Sequence, residues 1–323
     1  MSKQRSRLGI LVYLGLGEFM SEDNSKYESL HRDSESQNGE INIKSFIGKA
    51  MKRLKDESPL IHCITSPIAI NDCANLVLAL GAKPIMAEYC DEAADITGMA
   101  KAVAFSFANI TEARLASIRV CSESAAYALK PRVVDAVGVT CSRIRKDRCT
   151  EYIDRWGYSV IKGNISEIKA LSGAKYDAVG IDSGSSDRVL KNNKASIKEA
   201  AGLVCDYAKR VNSVVLATGE VDIVSDGRHT YALSNGVKEL SLITGTGCML
   251  NCMIATYMSV LDPLEATIAA TLHLSIAGEI ALEMMGPVEA IGLGSYHVKL
   301  MDAISLMTAK MLADRSVIKK IEI

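Results

Sequence analysis

The sequence is short of several features that would mark it for common roles. It carries 37 lysines and arginines against 38 aspartates and glutamates, a net charge of −1. With no basic stripe along the chain, a nucleic-acid partner is not expected. Aromatic residues are only 5% of the chain, and Ala, Ile, Leu, Val and Met dominate. That mix suits helices packed on a buried sheet better than an aromatic-rich β-sandwich. The nine cysteines are odd in number and include no CxxC pair. This argues against a disulfide framework or a zinc site and for a reducing, cytoplasmic setting. No GxxxxGK[ST] P-loop occurs, and TGTGCML lacks the third glycine of GxGxxG. Any nucleotide must therefore be held by another device. There is no internal repeat and no linker strong enough to split the body.

The N-terminus begins basic and then apolar, SKQRSRLGILVYLGLGEF. Its apolar run is too short to span a bilayer, so no membrane association is expected, although a cleaved or membrane-associated leader is the alternative reading. The stretch that follows, SEDNSKYESLHRDSESQNGE, is dominated by acids and serines. Residues 1–40 are expected to form a poorly ordered extension or to result from an over-early translation start. Residues 41–323 are expected to form a single domain.

From residue 41 the pattern is regular. INIKSFIGKAMKRLKD reads as an amphipathic helix, PLIHCIT as a buried strand, and AINDCANLVLALGA as a helix ending near Gly81. KPIMA, AVAFSF, PRVVDAVGV, YSVIKG and SVVLATG read as strands. TEARLASIRVCSESAAYAL, NISEIKAL and ASIKEAAGLVCDYAKRV read as helices. VDIVSDGRHTYAL reads as a hairpin turning at Asp226-Gly227, and the chain from Cys248 to about Leu312 as mostly helical. Alternating strands and helices predict an α/β fold with a largely parallel central sheet covered by helices on both faces. Ligands in such sheets bind beyond the carboxyl ends of the strands. This directs attention to Thr65-Ser66, Met86-Ala87-Glu88, Asp135, Gly163-Asn164 and Thr218-Gly219-Glu220.

TGTGC, followed by MLNCMIATYMSVL, is the device that could replace a P-loop. Its glycines allow close backbone approach, and the following helix start offers unpaired N–H groups to a phosphate. A thiol at that place would have a lowered pKa; Cys248 is alternatively a small core hydrophobe, and Cys252 is read as core. In VIKGNISEIKAL, Asn164 and Glu167 are spaced for a capping box, the simpler reading, or for a metal and phosphate role. Asp135, at a strand end, could hold Mg²⁺ through water or merely shape a turn. Lys162 could meet a phosphate or solvent. His62 reads as a core histidine, and Met86 as packing.

Taken in order, PLIHCITS, INDCANLVLALGAKPIMA, VVDAVGV, VIKGNISEI, LATGEVDIVSDG, ITGTGCML, SIAGEIA and GLGSYHVKLMDAI resemble the hydroxyethylthiazole kinase family, of ribokinase-like fold, over roughly residues 42–312. The resemblance implies ATP-dependent phosphorylation of 5-(2-hydroxyethyl)-4-methylthiazole, a salvage step in thiamine synthesis. It implies substrate contacts from Met86 and Gly245, ATP contacts from Lys162, Thr218 and Asn164, and a phosphate cradle at Thr246 and Gly247. It further implies Mg²⁺ near Asp135 and Glu167, Cys248 as the group beside the reacting alcohol, and a homotrimer with thiazole sites between subunits. The chain departs from the family pattern at Ser66, Ser106, Ala136 and Lys162, where the family commonly has Arg at the last. These departures leave open a kinase of another small alcohol, or a non-catalytic homologue that binds thiazole or nucleotide.

Overall fold

Among the described residues nine strands form the main sheet, and its order explains where a ligand could sit. The computed structural model describes residues 42–179, 182–184, 187–287 and 290–323. The expected N-terminal extension lies outside these residues. The first elements are α1 (Ile43–Glu57), β1 (Leu60–Ile64), α2 (Ile70–Ala79), β2 (Lys83–Ile85), α3 (Cys90–Met99), β3 (Ala102–Ser106) and α4 (Glu112–Tyr127). Next are β4 (Arg132–Asp135), α5 (Arg143–Trp156), β5 (Val160–Asn164), α6 (Ile165–Ser172), the short pair β6 (Ala178–Val179) and β7 (Asp182–Ser183), and α7 (Lys194–Val211). The chain continues with β8 (Val214–Thr218), β9 (Asp222–Ser225), β10 (Thr230–Leu233), α8 (Thr246–Met258), α9 (Pro263–Met285), α10 (Leu293–Leu306), α11 (Ala309–Arg315) and β11 (Ile318–Lys320).

The sheet runs β11-β10-β9-β8-β5-β4-β3-β1-β2. Strands from β8 to β2 are mutually parallel, whereas β9, β10 and β11 add an antiparallel edge. The parallel strands are apolar runs such as AVAFS, buried at every position, as expected of strands covered on both faces. Phe105, Val134, Ile161 and Val215 pack against side chains from α3 to α7. On the other face α8 lies against β1, β3, β4 and α2, while α9 packs on α8, α10 and the β8–β10 region. Helix α9 is long and apolar enough to cross a bilayer, but 72% of its most apolar window is buried inside the protein. Ile47–Ile323 forms one compact unit.

The expected strands and helices recur at their expected places. Five elements among the described residues were not expected. Two of them, β6 and β7, are two residues each and pair with one another. Helix α3 is mixed in polarity, and more than half of the α5 sequence RIRKDRCTEYIDRW is charged, so neither shows a clear apolar stripe. β11 is three residues long and exists through its pairing with β10.

A buried polar pair crosses the helical layer. The Tyr257 hydroxyl meets His273 Nδ1 at 2.8 Å, and His273 Nε2 lies 3.1 Å from the Ile304 carbonyl oxygen. Burial pushes the His273 imidazole down to about 4. Its folded pKa lies below its unfolded one, so keeping it neutral stabilises the fold above about pH 6.5, by roughly 3 kcal/mol. That contribution is lost as the pH falls toward 4. His273→Gln is therefore expected to melt below the wild type at pH 8 and to approach it near pH 4. Melting curves across that range check this; a constant gap would refute the protonic origin.

Candidate active site

Strand order reverses at β1, which has β2 on one side and β3 on the other. Loops after β1 and β3 therefore diverge and leave a crevice at the carboxyl ends of the strands. Helix α8 begins at this crevice. Gly245 precedes it in the left-handed region (φ 89°), which glycine reaches without strain. A Cβ at Gly245 would also come within 2.8 Å of the Ala69 Cβ, so the turn passes close against the loop after β1. No side chain caps α8, and its first-turn N–H groups have no acceptor within the helix.

The Lys162 ammonium stands over this open turn: a Cβ on Gly247 would lie 3.4 Å from Lys162 Nζ. Lys162 is itself buried and paired with Asp135 Oδ1 at 2.9 Å. Burial works against its charge, but the Asp135 carboxylate outweighs burial and holds the ammonium above its ordinary range. Backbone N–H groups and a fixed cation thus face one small exposed glycine. That is the chemistry of an anion site.

Asn164 and Glu167 form the capping box of α6. Asn164 Oδ1 accepts from the Glu167 N–H at 2.9 Å, and Glu167 Oε2 accepts from the Asn164 N–H at 2.7 Å. Glu167 Oε1 accepts from the Gly138 N–H at 2.7 Å, which ties the loop after β4 to the end of β5. Burial, reinforced by the Asp135 charge, pushes the Glu167 carboxyl up to about 7. Thr218 donates to the Gly163 carbonyl at 3.3 Å, so the β8 end is joined to the same corner.

Cys248 requires a correction. A helix start predicts a lowered thiol pKa, yet burial, with the Asp135 charge, pushes this thiol up to about 11. The residue is 7% exposed, and desolvation outweighs the opposing pull of the Lys162 charge. It lies beside the Thr65 hydroxyl, which also meets Cys73 Sγ at 3.7 Å. The Thr246 hydroxyl is turned away from the crevice, donating to the Leu240 and Ile243 carbonyls at 3.2 and 3.3 Å. Of Thr246, the backbone N–H, in the uncapped first turn of α8, is what remains for the expected cradle.

Met86 is half-buried in the loop after β2. His62 is a core histidine, bonded to Thr97 Oγ1 at 3.0 Å and to the Ala87 carbonyl at 2.8 Å. The departures from the family pattern are locally accommodated. Ser66 donates to Asn109 Oδ1 at 2.9 Å, Ser106 Oγ accepts from the Ala108 N–H at 3.2 Å, and the Ala136 N–H donates to the Lys162 carbonyl at 2.7 Å. Sequence reasoning did not single out Asp222. Its buried carboxylate accepts from the Gly219 N–H at 2.9 Å and closes the loop after β8. Burial pushes it up to about 7. An Asp three residues after Gly219 was the available signal, since short acidic side chains close turns in this way.

The chain is similar to known proteins over most of its length. The hydroxyethylthiazole kinase family matches residues 51–310. Hydroxyethylthiazole kinase 2 of Clostridium botulinum is 43% identical over 270 residues, 84% of this chain and 97% of that protein. The solved structure of a hydroxyethylthiazole kinase protein from Pyrococcus horikoshii superposes with a TM-score of 0.75 at 33% identity, covering 86% of this chain and 99% of that one. An ADP complex of Bacillus subtilis pyridoxal kinase, at TM-score 0.51 and 15% identity, shares the ribokinase-like fold alone. With the family pattern spanning residues 51–310 and a 43% identical relative matched over 97% of its length, the chain belongs to the hydroxyethylthiazole kinase family.

Proposed function

We propose that this chain transfers the γ-phosphoryl group of ATP to the primary alcohol of 5-(2-hydroxyethyl)-4-methylthiazole, giving ADP and the thiazole phosphate for thiamine salvage. The observation that carries this reading is the uncapped start of α8, where exposed Gly247 adjoins the Lys162 ammonium. Phosphoryl transfer asks a protein mainly for positioning and charge stabilisation, and this corner offers both. The N–H groups of Thr246 and Gly247 would cradle the moving phosphoryl group. Lys162, Thr218 and Asn164 would serve ATP, while Met86 and Gly245 would bound the thiazole. Because the Cys248 thiol is protonated at neutral pH, it would orient the alcohol rather than take its proton.

Magnesium fits this corner as an ion that arrives with ATP. Asp135 and Glu167 supply hard carboxylate oxygens, which suit Mg²⁺. Those oxygens already meet Lys162 and two backbone amides. Among the described residues no three acidic, histidine or cysteine side chains converge as a metal cage. The two carboxylates would hold the ion through water, and the ion would neutralise phosphate charge.

A homotrimer with shared thiazole sites belongs to the same reading. It is supported by Ile68 and Leu242, which are 68% and 56% exposed close to the Ala69–Gly245 contact. No disulfide joins any of the nine cysteines, which suits the reducing cytoplasm.

The test is ADP release with ATP and Mg²⁺, with and without the thiazole, with the product identified by mass. Thiazole-dependent turnover is the expected result, and phosphorylation of a different small alcohol in its place would overturn the substrate. In the same assay Cys248→Ala is expected to lose about tenfold or less, short of the 10²–10⁴ that a committed general base contributes. A loss of that larger size would restore the thiol as the base.

A further inference from the structure

Two loops implicated in the thiazole site, those after β1 and β2, are joined by one side chain from outside the site. Arg114, on α4, is 7% exposed. Its Nη1 lies 2.7 Å from Glu88 Oε1, and its Nη2 donates to the Thr65 carbonyl at 2.5 Å. Two further groups secure the same β2 loop. Ser117 donates to the Glu88 carbonyl at 2.5 Å, and His62 Nε2 lies 2.8 Å from the Ala87 carbonyl oxygen. Of these three side chains, only Arg114 also reaches Thr65, whose hydroxyl adjoins the Cys248 thiol.

We propose that Arg114 and Glu88 form a positioning clamp that sets Met86 against the Thr65–Cys248 corner, and so governs affinity for the heterocyclic alcohol without touching it. This rests on the kinase reading above. Stability alone is a poor account of the pair. Buried charges lose their hydration, and apolar side chains of similar volume commonly replace such a pair at no cost. Arg114 Nε is moreover buried with no acceptor, a cost that folding alone would not select. What the guanidinium adds is direction. Its planar fork carries donors at fixed angles, so one side chain fixes two loops from different strands relative to each other. Lysine has the charge but not the fork. Glu88 keeps 29% of its side chain exposed against 8% for Arg114, so the clamp is anchored in the core and ends at the rim of the crevice.

Displacing a substrate-positioning loop by about an ångström can cost a hundredfold. Arg114→Lys and Glu88→Gln are therefore expected to raise KM for hydroxyethylthiazole about ten- to a hundredfold, with KM for ATP within about twofold of wild type. Arg114→Met combined with Glu88→Met removes both charges. It should fold and melt near the wild type while retaining the raised thiazole KM. A purely structural pair would instead lower the melting temperature of the single variants and leave both KM values alone, and that result overturns the clamp. Equal rises in both KM values would overturn it too. Amide exchange at Ser66 and at Ala87–Tyr89 separates this proposal from the substrate assignment. If the wild type does not phosphorylate hydroxyethylthiazole, faster exchange at both loops in Arg114→Lys still supports the clamp, and unchanged exchange refutes it.

Discussion

Gly247→Val is expected to lose about 10²–10³ in kcat, the scale of one preorganised donor group, while the protein stays as stable as the wild type. Gly247 is exposed and lies in the first turn of α8. Its backbone is not among the left-handed glycines, so a side chain there is not strained. A Cβ would meet Lys162 Nζ at 3.4 Å and nothing else within 4 Å. Folding therefore has little to lose: glycine within a helix costs roughly 0.5–1 kcal/mol relative to alanine, and the β-branched valine gives back part of that gain. Catalysis has much to lose, because the added methyl groups occupy the space between the helix amides and the ammonium. Gly247→Ala should show the same dissociation in milder form. Initial rates from a coupled ADP assay, set beside calorimetric melting temperatures, would decide it. Rates within threefold of wild type for both variants would remove the phosphate from this turn.

Lys162→Met is expected to fail in both respects at once. It leaves Asp135 buried without its cation, and breaking such a pair from one side costs about 3–5 kcal/mol. It also removes the charge that stands beside Gly247 and that the proposed reaction sets against the phosphoryl group. The pH dependence separates the two losses. An unpaired buried carboxyl has a folded pKa above its unfolded one, so its fold is most stable in acid and weakens as the pH rises. The stability gap between variant and wild type should therefore widen from pH 5 to pH 8. Adding Asp135→Leu should recover most of the stability and none of the turnover. Urea unfolding of both variants at the two pH values provides the stability data. A double variant that regains activity would show that Lys162 serves only to neutralise Asp135.

These expectations divide along what the sequence makes visible. Local chemistry was legible: TGTGC announced a glycine turn at a helix start, and Asn164 with Glu167 announced a capping box, because both depend on residues within four positions. The alternation of apolar runs was enough for the parallel sheet. Helix α5 was not legible, since its buried residues Cys149, Tyr152 and Ile153 sit among charges. β11 was hidden for a different reason. A three-residue strand is set by its partner β10, about ninety residues earlier. The Cys248 thiol was misjudged because a helix dipole can be read from spacing and burial cannot. Asp222 and Arg114 act through contacts made by the fold. The Arg114–Glu88 pair joins residues 26 positions apart, a spacing with no local signature.

The protonated, buried thiol of Cys248 also bears on how the enzyme could be inhibited. Electrophilic drugs react with thiolates that solvent can reach, and Cys248 is neither ionised nor open at neutral pH. A reactive warhead would meet Cys141, which is exposed at the surface, before it met the residue at the helix start. Selective inhibitors of this kinase are better sought among reversible anions shaped to the glycine turn than among covalent cysteine reagents.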